Sequence, residues 1–114
     1  MEKAKKLRIY VSSTDRYKNE PLYQNLARTA RELGLAGATL YKGLMGYGTS
    51  SDFIQPSFWE FTEKVPVTIE IIDEEVKISD FLNTIRPQLN DQPKGCLITM
   101  QDVDIVFIKH GDKR

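Results

Sequence analysis

Two helical stripes, each entered from an alternating strand, constrain this chain more than any other feature of its sequence. Leu7-Arg8-Ile9-Tyr10-Val11-Ser12 alternates strictly, which reads as a half-buried strand with Leu7, Ile9 and Val11 on the inner face. After a polar loop, Leu22, Tyr23, Leu26, Ala27, Ala30 and Leu33 recur at three- and four-residue steps and form one apolar helix face. Asn19 or Glu20 stands where a cap for that helix is expected, with Pro21 in the first turn and Gly34 at the left-handed position that ends it. The same order of elements then returns. Val65-Pro66-Val67-Thr68-Ile69-Glu70-Ile71-Ile72 alternates with Val67, Ile69 and Ile71 inward, and Ile78, Phe81, Leu82, Ile85 and Leu89 supply a second stripe. Asp73 is the expected cap of this second helix, Glu74 and Glu75 suit its dipole, and Pro87 is expected to end it.

Between the stripes, residues 38–45 read as a second strand and residues 46–64 keep no period, although Phe53, Phe58, Trp59 and Phe61 crowd there. Aromatic side chains in a loop pack on something, either their own domain or a neighbouring subunit. Beyond a polar turn with Pro93 and Gly95, residues 96–100 and 103–109 are two strand-like runs separated at Gln101-Asp102. The order strand, helix, strand, strand, helix, strand predicts an α+β domain, a ferredoxin-like βαββαβ sandwich over residues 1–114. It has a loop after strand 2 and room for a short extra C-terminal strand. Right-handed crossovers put both helices on one sheet face. The other face then carries Arg8, Tyr10, Thr68, Glu70 and Ile72 with Thr39 or Tyr41, too mixed for a core and in parts too apolar for water, which points to burial in an oligomer.

Composition removes several functions. Lys+Arg and Asp+Glu stand at 16 each, so no global field draws the chain to nucleic acid or to an anionic membrane. A hydrophobic share of 40% with 28% charged residues fits a globular domain, and no apolar run approaches the roughly 20 residues that span a bilayer. A single cysteine, Cys96, fits a reducing cytoplasm. With one histidine and one cysteine there is no Cys/His metal cluster and no triad spacing, so neither a metal centre nor a catalytic residue is expected.

Three places hold polar chemistry. Gly43-Leu44-Met45-Gly46-Tyr47-Gly48-Thr49 has suggestive glycines but lacks the following helix that a dinucleotide fingerprint needs, so a bulge and turn is the plainer reading. Ser12-Ser13-Thr14-Asp15-Arg16-Tyr17-Lys18 offers hydroxyls and two cations, either as a phosphate cradle with Arg16 as a planar fork or as a solvated connector. Lys94-Gly95 and Lys109-His110 offer charge to an anionic ligand or simply lie on the surface; only a shared place in a folded oligomer makes them one site.

Leu7-Arg8-Ile9-Tyr10, Asp15-Arg16-Tyr17-Lys18, Pro21-Leu22-Tyr23, Gly34-Leu35-Ala36-Gly37-Ala38-Thr39, the glycine run from Gly43 to Gly48 and the strand from Val65 to Asp73 together resemble the DUF190 family, small proteins related to nitrogen-regulatory PII signal proteins. The resemblance implies a homotrimer that senses a small ligand, an adenine nucleotide, in clefts between subunits. It also implies regulation of a partner protein, a membrane transporter among the candidates, through the loop after strand 2. It assigns ligand binding to Gly46, Tyr47, Gly48, Thr49, Lys94, Gly95, Lys109 and His110. The PII pattern has Gly-Lys where this chain has Gly95-Cys96, and Arg-x-Arg where it has Phe107-Ile108-Lys109. Fewer cations then face the phosphates, so among ADP, AMP and ATP the less charged nucleotides fit better, with another small anion as the alternative ligand. The competing expectation is a small ferredoxin-like enzyme acting on a phosphorylated or acyl-phosphate substrate with Arg16 and its neighbouring hydroxyls, because this fold also hosts phosphatases.

Overall fold

The inward row Leu7, Ile9 and Val11 is buried on β1 (Glu2–Ser12), and its partner row Val67, Ile69 and Ile71 is buried on β5 (Pro66–Asp73). The computed structural model describes residues 1–44 and 64–112. Between these strands lie two short bridges, β2 (Arg16–Tyr17) and β3 (Glu20–Pro21), helix α1 (Leu22–Glu32) and β4 (Ala38–Lys42). Helix α2 (Glu75–Asn90) and β6 (Leu97–Ile105) complete the chain. The main sheet has the order β4-β5-β1-β6 with antiparallel neighbours throughout, which is the ferredoxin-like arrangement. Leu22, Leu26 and Ala30 from α1 and Ile78, Phe81 and Ile85 from α2 close over the inward rows as a single core.

The end of α1 is a paired backbone motif. Leu35 N–H donates to Ala30 O at 3.1 Å and Gly34 N–H to Arg31 O at 3.1 Å, with Gly34 at φ 79°. That is a Schellman turn, in which the sixth residue returns to the first and a left-handed glycine lets it happen. It also corrects one expected core position. Leu33, as the capping residue, is exposed, and Leu35 folds back into the core instead.

Four further expectations are corrected by tertiary partners. Neither Asn19 nor Glu20 caps α1: Leu22 N–H bonds Asp15 O at 2.8 Å, while the Glu20 carboxylate turns to Asn25 at 2.9 Å and to Arg28. Asp73 does not cap α2, because its two oxygens accept from Glu74 N–H at 2.7 Å and from Ala36 N–H at 2.8 Å, which ties the α1–β4 connection to the end of β5. Pro87 does not end α2, which runs on to Asn90. A proline removes one intrahelical bond, and the final turn is held by Leu89 packing on the core and by the Gln88 and Asn25 amides meeting at 2.7 Å. Residues 96–100 and 103–109 are not separate strands. One strand runs through Gln101 and Asp102 because β1 is a long template for it, with Lys6 opposite Gln101 and Lys5 ion-paired to the facing Asp102. Among the described residues no further strand follows.

The register fixes the outer face. Tyr41, Thr68, Tyr10 and Leu97 lie in one row across the four strands, and Thr39, Glu70, Arg8 and Thr99 lie in the next. No helix among the described residues covers it, and none is long and apolar enough to cross a membrane.

Candidate functional site

At one end of the sheet β1 and β4 finish and β5 and β6 begin, so the connections at residues 13–19, 43–65 and 91–96 leave from the same end. Two sets of bonds lock the described parts of these connections together. Ser13 N–H donates to Val65 O at 2.8 Å while Val65 N–H donates to Ser13 Oγ at 3.0 Å. Gln92 Nε2 reaches across to Arg16 O at 2.8 Å, tying the turn before β6 to the turn after β1.

This bonding gathers charge. Lys64 stands just before Val65, and the neighbouring Lys94 ammonium pulls its amine below the usual value; burial adds to that and Asp15 opposes it. Asp15 is itself buried, with Oδ2 accepting Ser12 N–H at 2.9 Å. Cys96 completes the cluster, its thiol pushed up first by burial and then by the Asp15 charge, so it is no ready nucleophile. Two lysines beside one carboxylate leave a net positive end, and a lysine whose charge is discouraged by another gains most from an anion placed between them. Gly43 marks where the long connection departs. Its N–H donates to Pro66 O at 2.7 Å, and a Cβ there would meet Pro66 Cγ at 2.6 Å, so only glycine permits this approach without a shift.

Of the residues expected at a ligand site, Lys94 and Gly95 lie exposed at this end. Gly46, Tyr47, Gly48 and Thr49 lie outside the described residues. Lys109 and His110 follow β6 at the opposite end of the sheet, beyond a strand of nine residues; at ~3.3 Å per residue that separation is roughly 30 Å. Within one chain Lys94 and Lys109 therefore do not converge. Lys64 was not singled out by sequence pattern, and Asp15 only as a member of the hydroxyl-rich run from Ser12 to Lys18, because residues 15, 64 and 94 meet only through the sheet. The one local signal was Asp15 directly after a strand, in a run of turn-forming hydroxyls.

The loop after β1 is occupied with itself. Arg16 Nη2 donates to Asn19 O at 2.9 Å, Ser12 Oγ and Thr14 Oγ1 share a hydrogen bond at 3.0 Å, and Thr14 N–H reaches Ser12 Oγ at 3.3 Å. No group of three or more His, Cys, Asp or Glu side chains among the described residues is arranged to hold a metal ion.

Comparison with known proteins agrees with this architecture. A UPF0166 protein of Aquifex aeolicus (strain VF5) is 36% identical over 106 residues, covering 93% of this chain and 96% of its own. CPII, a nitrogen regulatory PII-like protein from Thiomonas intermedia K12, superposes at a TM-score of 0.67 in its complex with ADP and bicarbonate. That match is 14% identical and covers 90% of this chain and 88% of CPII. A further structure of CPII holds ADP, AMP and acetate. A protein from Thermus thermophilus described as PII-like superposes at 0.61 with 19% identity, covering 90% and 88% of the two chains. These superpositions identify the fold as PII-like. The family model DUF190 (Uncharacterized ACR) matches residues 4–105, and this chain belongs to that family.

Proposed function

We propose that this chain is a PII-like signal-transduction protein rather than an enzyme. It assembles as a cytoplasmic homotrimer, takes an adenine nucleotide in clefts between subunits, and regulates a partner protein through the loop after β4. A membrane transporter is one such partner. The observation that carries this reading is the division of the cationic residues between the two ends of one sheet. Lys64 and Lys94 stand at the end where the long loop departs, and Lys109 stands at the other. A head-to-tail contact between copies brings Lys109 to the neighbour's Lys64 and Lys94, and a heterologous contact whose rotation closes after three copies makes a trimeric ring. The nucleotides held by CPII support an adenine nucleotide as the ligand class, and the small net charge of the cluster suits ADP or AMP better than ATP.

Phosphates placed between Lys64 and Lys94 relieve the repulsion of two adjacent ammonium groups, while Gly46, Tyr47, Gly48 and Thr49 supply backbone close to the nucleotide. Because the loop after β4 and the site share a root at Gly43 and Val65, occupancy biases the loop toward one arrangement, and the partner reads that population. Calorimetric titration of the full chain with ADP, AMP and ATP tests this. Binding is expected at one site per chain, weakened at least about tenfold in both Lys94→Ala and Lys109→Ala. A chain of trimer mass that takes up none of the three overturns the nucleotide assignment.

A further inference from the structure

Where α1 meets the start of β4, the helix layer and the sheet do not close on each other. Ala27 and Ala30 of α1 face the connection through Leu35, Ala36 and Gly37 and the first residue of β4, Ala38, across a cavity of about 270 Å³. Ala38 pairs with the buried Ile71 and Leu40 with the buried Ile69, so both stand on the helix side of the sheet, yet Leu40 is still 37% exposed. The cause is side-chain size. Elsewhere leucine, isoleucine and phenylalanine bridge helix and sheet, whereas here, apart from Leu35, only methyl groups and a glycine meet. Close-packed interiors rarely keep a void larger than a water molecule, and this one has the liquid volume of roughly nine.

The backbone around the cavity has already used its donors from residue 33 to residue 36. The N–H groups of Leu33, Gly34 and Leu35 donate to the Thr29, Arg31 and Ala30 carbonyls at 3.0, 3.1 and 3.1 Å, and Ala36 N–H donates to Asp73 Oδ2 at 2.8 Å. Apolar surface and one cation remain. Arg31 lines the same cavity. Arg28, one turn earlier, is paired with Glu20 and Glu32, but Arg31 forms no ion pair among the described residues. Asp73 lies on the Ala36 side with both oxygens engaged, the second by Glu74 N–H at 2.7 Å, so an anion is favoured beside Arg31 and disfavoured opposite it.

We infer that this cavity binds a small aliphatic monocarboxylate, its alkyl group among Ala27, Ala30 and Ala38 and its carboxylate on the Arg31 fork. A guanidinium takes a carboxylate through two parallel hydrogen bonds, which fixes the orientation of the chain behind it. An apolar cavity of about 150 Å³ already holds a benzene ring, so a branched chain of about four or five carbons fits here. A dicarboxylate would set its second charge against methyl groups, and an amine would meet Arg31 with like charge. The site opens at the start of β4, whereas the Lys64–Lys94 cluster stands where β4 ends. It is therefore a second site, and it needs neither nucleotide binding nor a second copy of the chain.

Titration of the isotope-labelled full chain with isovalerate, followed through its amide resonances, tests this. Saturable shifts are expected at Arg31 and at residues 35–38. Acetate, which lacks the alkyl group, and isoamylamine, which reverses the charge, are each expected to bind at least about tenfold more weakly. Arg31→Gln removes the charge and is expected to weaken isovalerate at least about tenfold while leaving the affinity for uncharged isoamyl alcohol as it is in the wild type. Ala27→Leu fills the cavity from the helix, and is expected to keep its far-ultraviolet circular dichroism and lose both ligands. Shifts that do not saturate or that fall outside residues 27–40 overturn the site. So does an Arg31→Gln chain that binds isovalerate as tightly as the wild type, or a folded Ala27→Leu chain that still binds it. The readout is a set of named amides and not nucleotide uptake, so this inference and the proposed function can each fail alone.

Discussion

The two faces of one four-stranded sheet have been solved differently in this chain. On one, Leu7, Ile9, Val67, Ile69 and Ile71 are sealed by two helices and the row is apolar throughout. On the other, aromatic rings, an aliphatic residue and a closed Arg8–Glu70–Tyr41 network share the same strands at the alternate positions. The first face needs nothing but burial, because its groups have no hydrogen-bonding demands. The second has satisfied its charges and left its apolar atoms half covered, which suits the trimer proposed above. In the proposed trimer, folding and assembly use opposite faces of the same strands, one residue apart.

The sharpest way to break this comparison is to delete side chains on each face and vary protein concentration. Phe81→Ala removes the largest fully buried side chain among the described residues and is expected to cost about 3–5 kcal/mol in denaturant unfolding. Its penalty relative to wild type comes from the chain's own core, so it persists at the lowest concentrations. Ile72→Ala on the bare face is expected to cost only about 1 kcal/mol in dilute solution, with a penalty that grows as concentration rises, because what it damages is association. Equal, concentration-independent losses from both would mean that the second face is simply a poorly covered core.

The covered face was legible from sequence and the bare one only by subtraction. Period two in Leu7 to Val11 and in Val67 to Ile71, and the stripes from Leu22 and from Ile78 apart from the exposed Leu33, each arise because one side of an element meets the core, and that constraint repeats locally. What pattern could not supply were features decided by residues distant in the chain. Asp73 bonds Ala36 rather than capping, Pro87 sits inside a helix held by Asn25, and Asp102 continues a strand because Lys5 faces it. The candidate site shows the same limit. Lys94 and Gly95 could be named from their turn and from family resemblance, whereas Lys64 and Asp15 join them only through the Ser13–Val65 bonds and the sheet.

A smaller effect is expected where the covered face is fastened at the end of α1. Gly34 sits at φ 79° with nothing near the position of an added Cβ, so Gly34→Val acts chiefly through backbone strain. A left-handed β-branched residue costs roughly 1–2 kcal/mol, and the Schellman turn places that strain where Leu35 re-enters the core. Thermal unfolding should show a loss in that range, with Gly34→Asn recovering much of it, since asparagine tolerates this conformation. Equal losses for both variants would mean that close packing, not backbone conformation, requires the glycine.

The smallest expected effect lies at the other end of the same helix and depends on pH. Glu20 accepts from Arg28 Nη1 at 2.6 Å and from Asn25 Nδ2 at 2.9 Å, and the Arg28 guanidinium, with help from Asn25, lowers its carboxyl to about 2. A carboxyl whose folded value lies below the ordinary 4.5 binds its proton more weakly folded than unfolded. Its contribution is therefore complete above the ordinary value and fades as pH falls toward the folded one. The Tm of Glu20→Gln should accordingly lie below that of the wild type at pH 6, and the gap should close between pH 4.5 and about 2. The difference between the two proteins isolates Glu20 from Asp102 and Glu70, whose carboxyls are also held low and titrate equally in both. Because the pair is solvent-exposed, added salt should narrow the gap at pH 6 without moving the pH at which it closes by much. A gap that is constant from pH 6 to pH 2 would show that Glu20 acts through shape alone, leaving the start of α1 to the Asp15–Leu22 backbone bond.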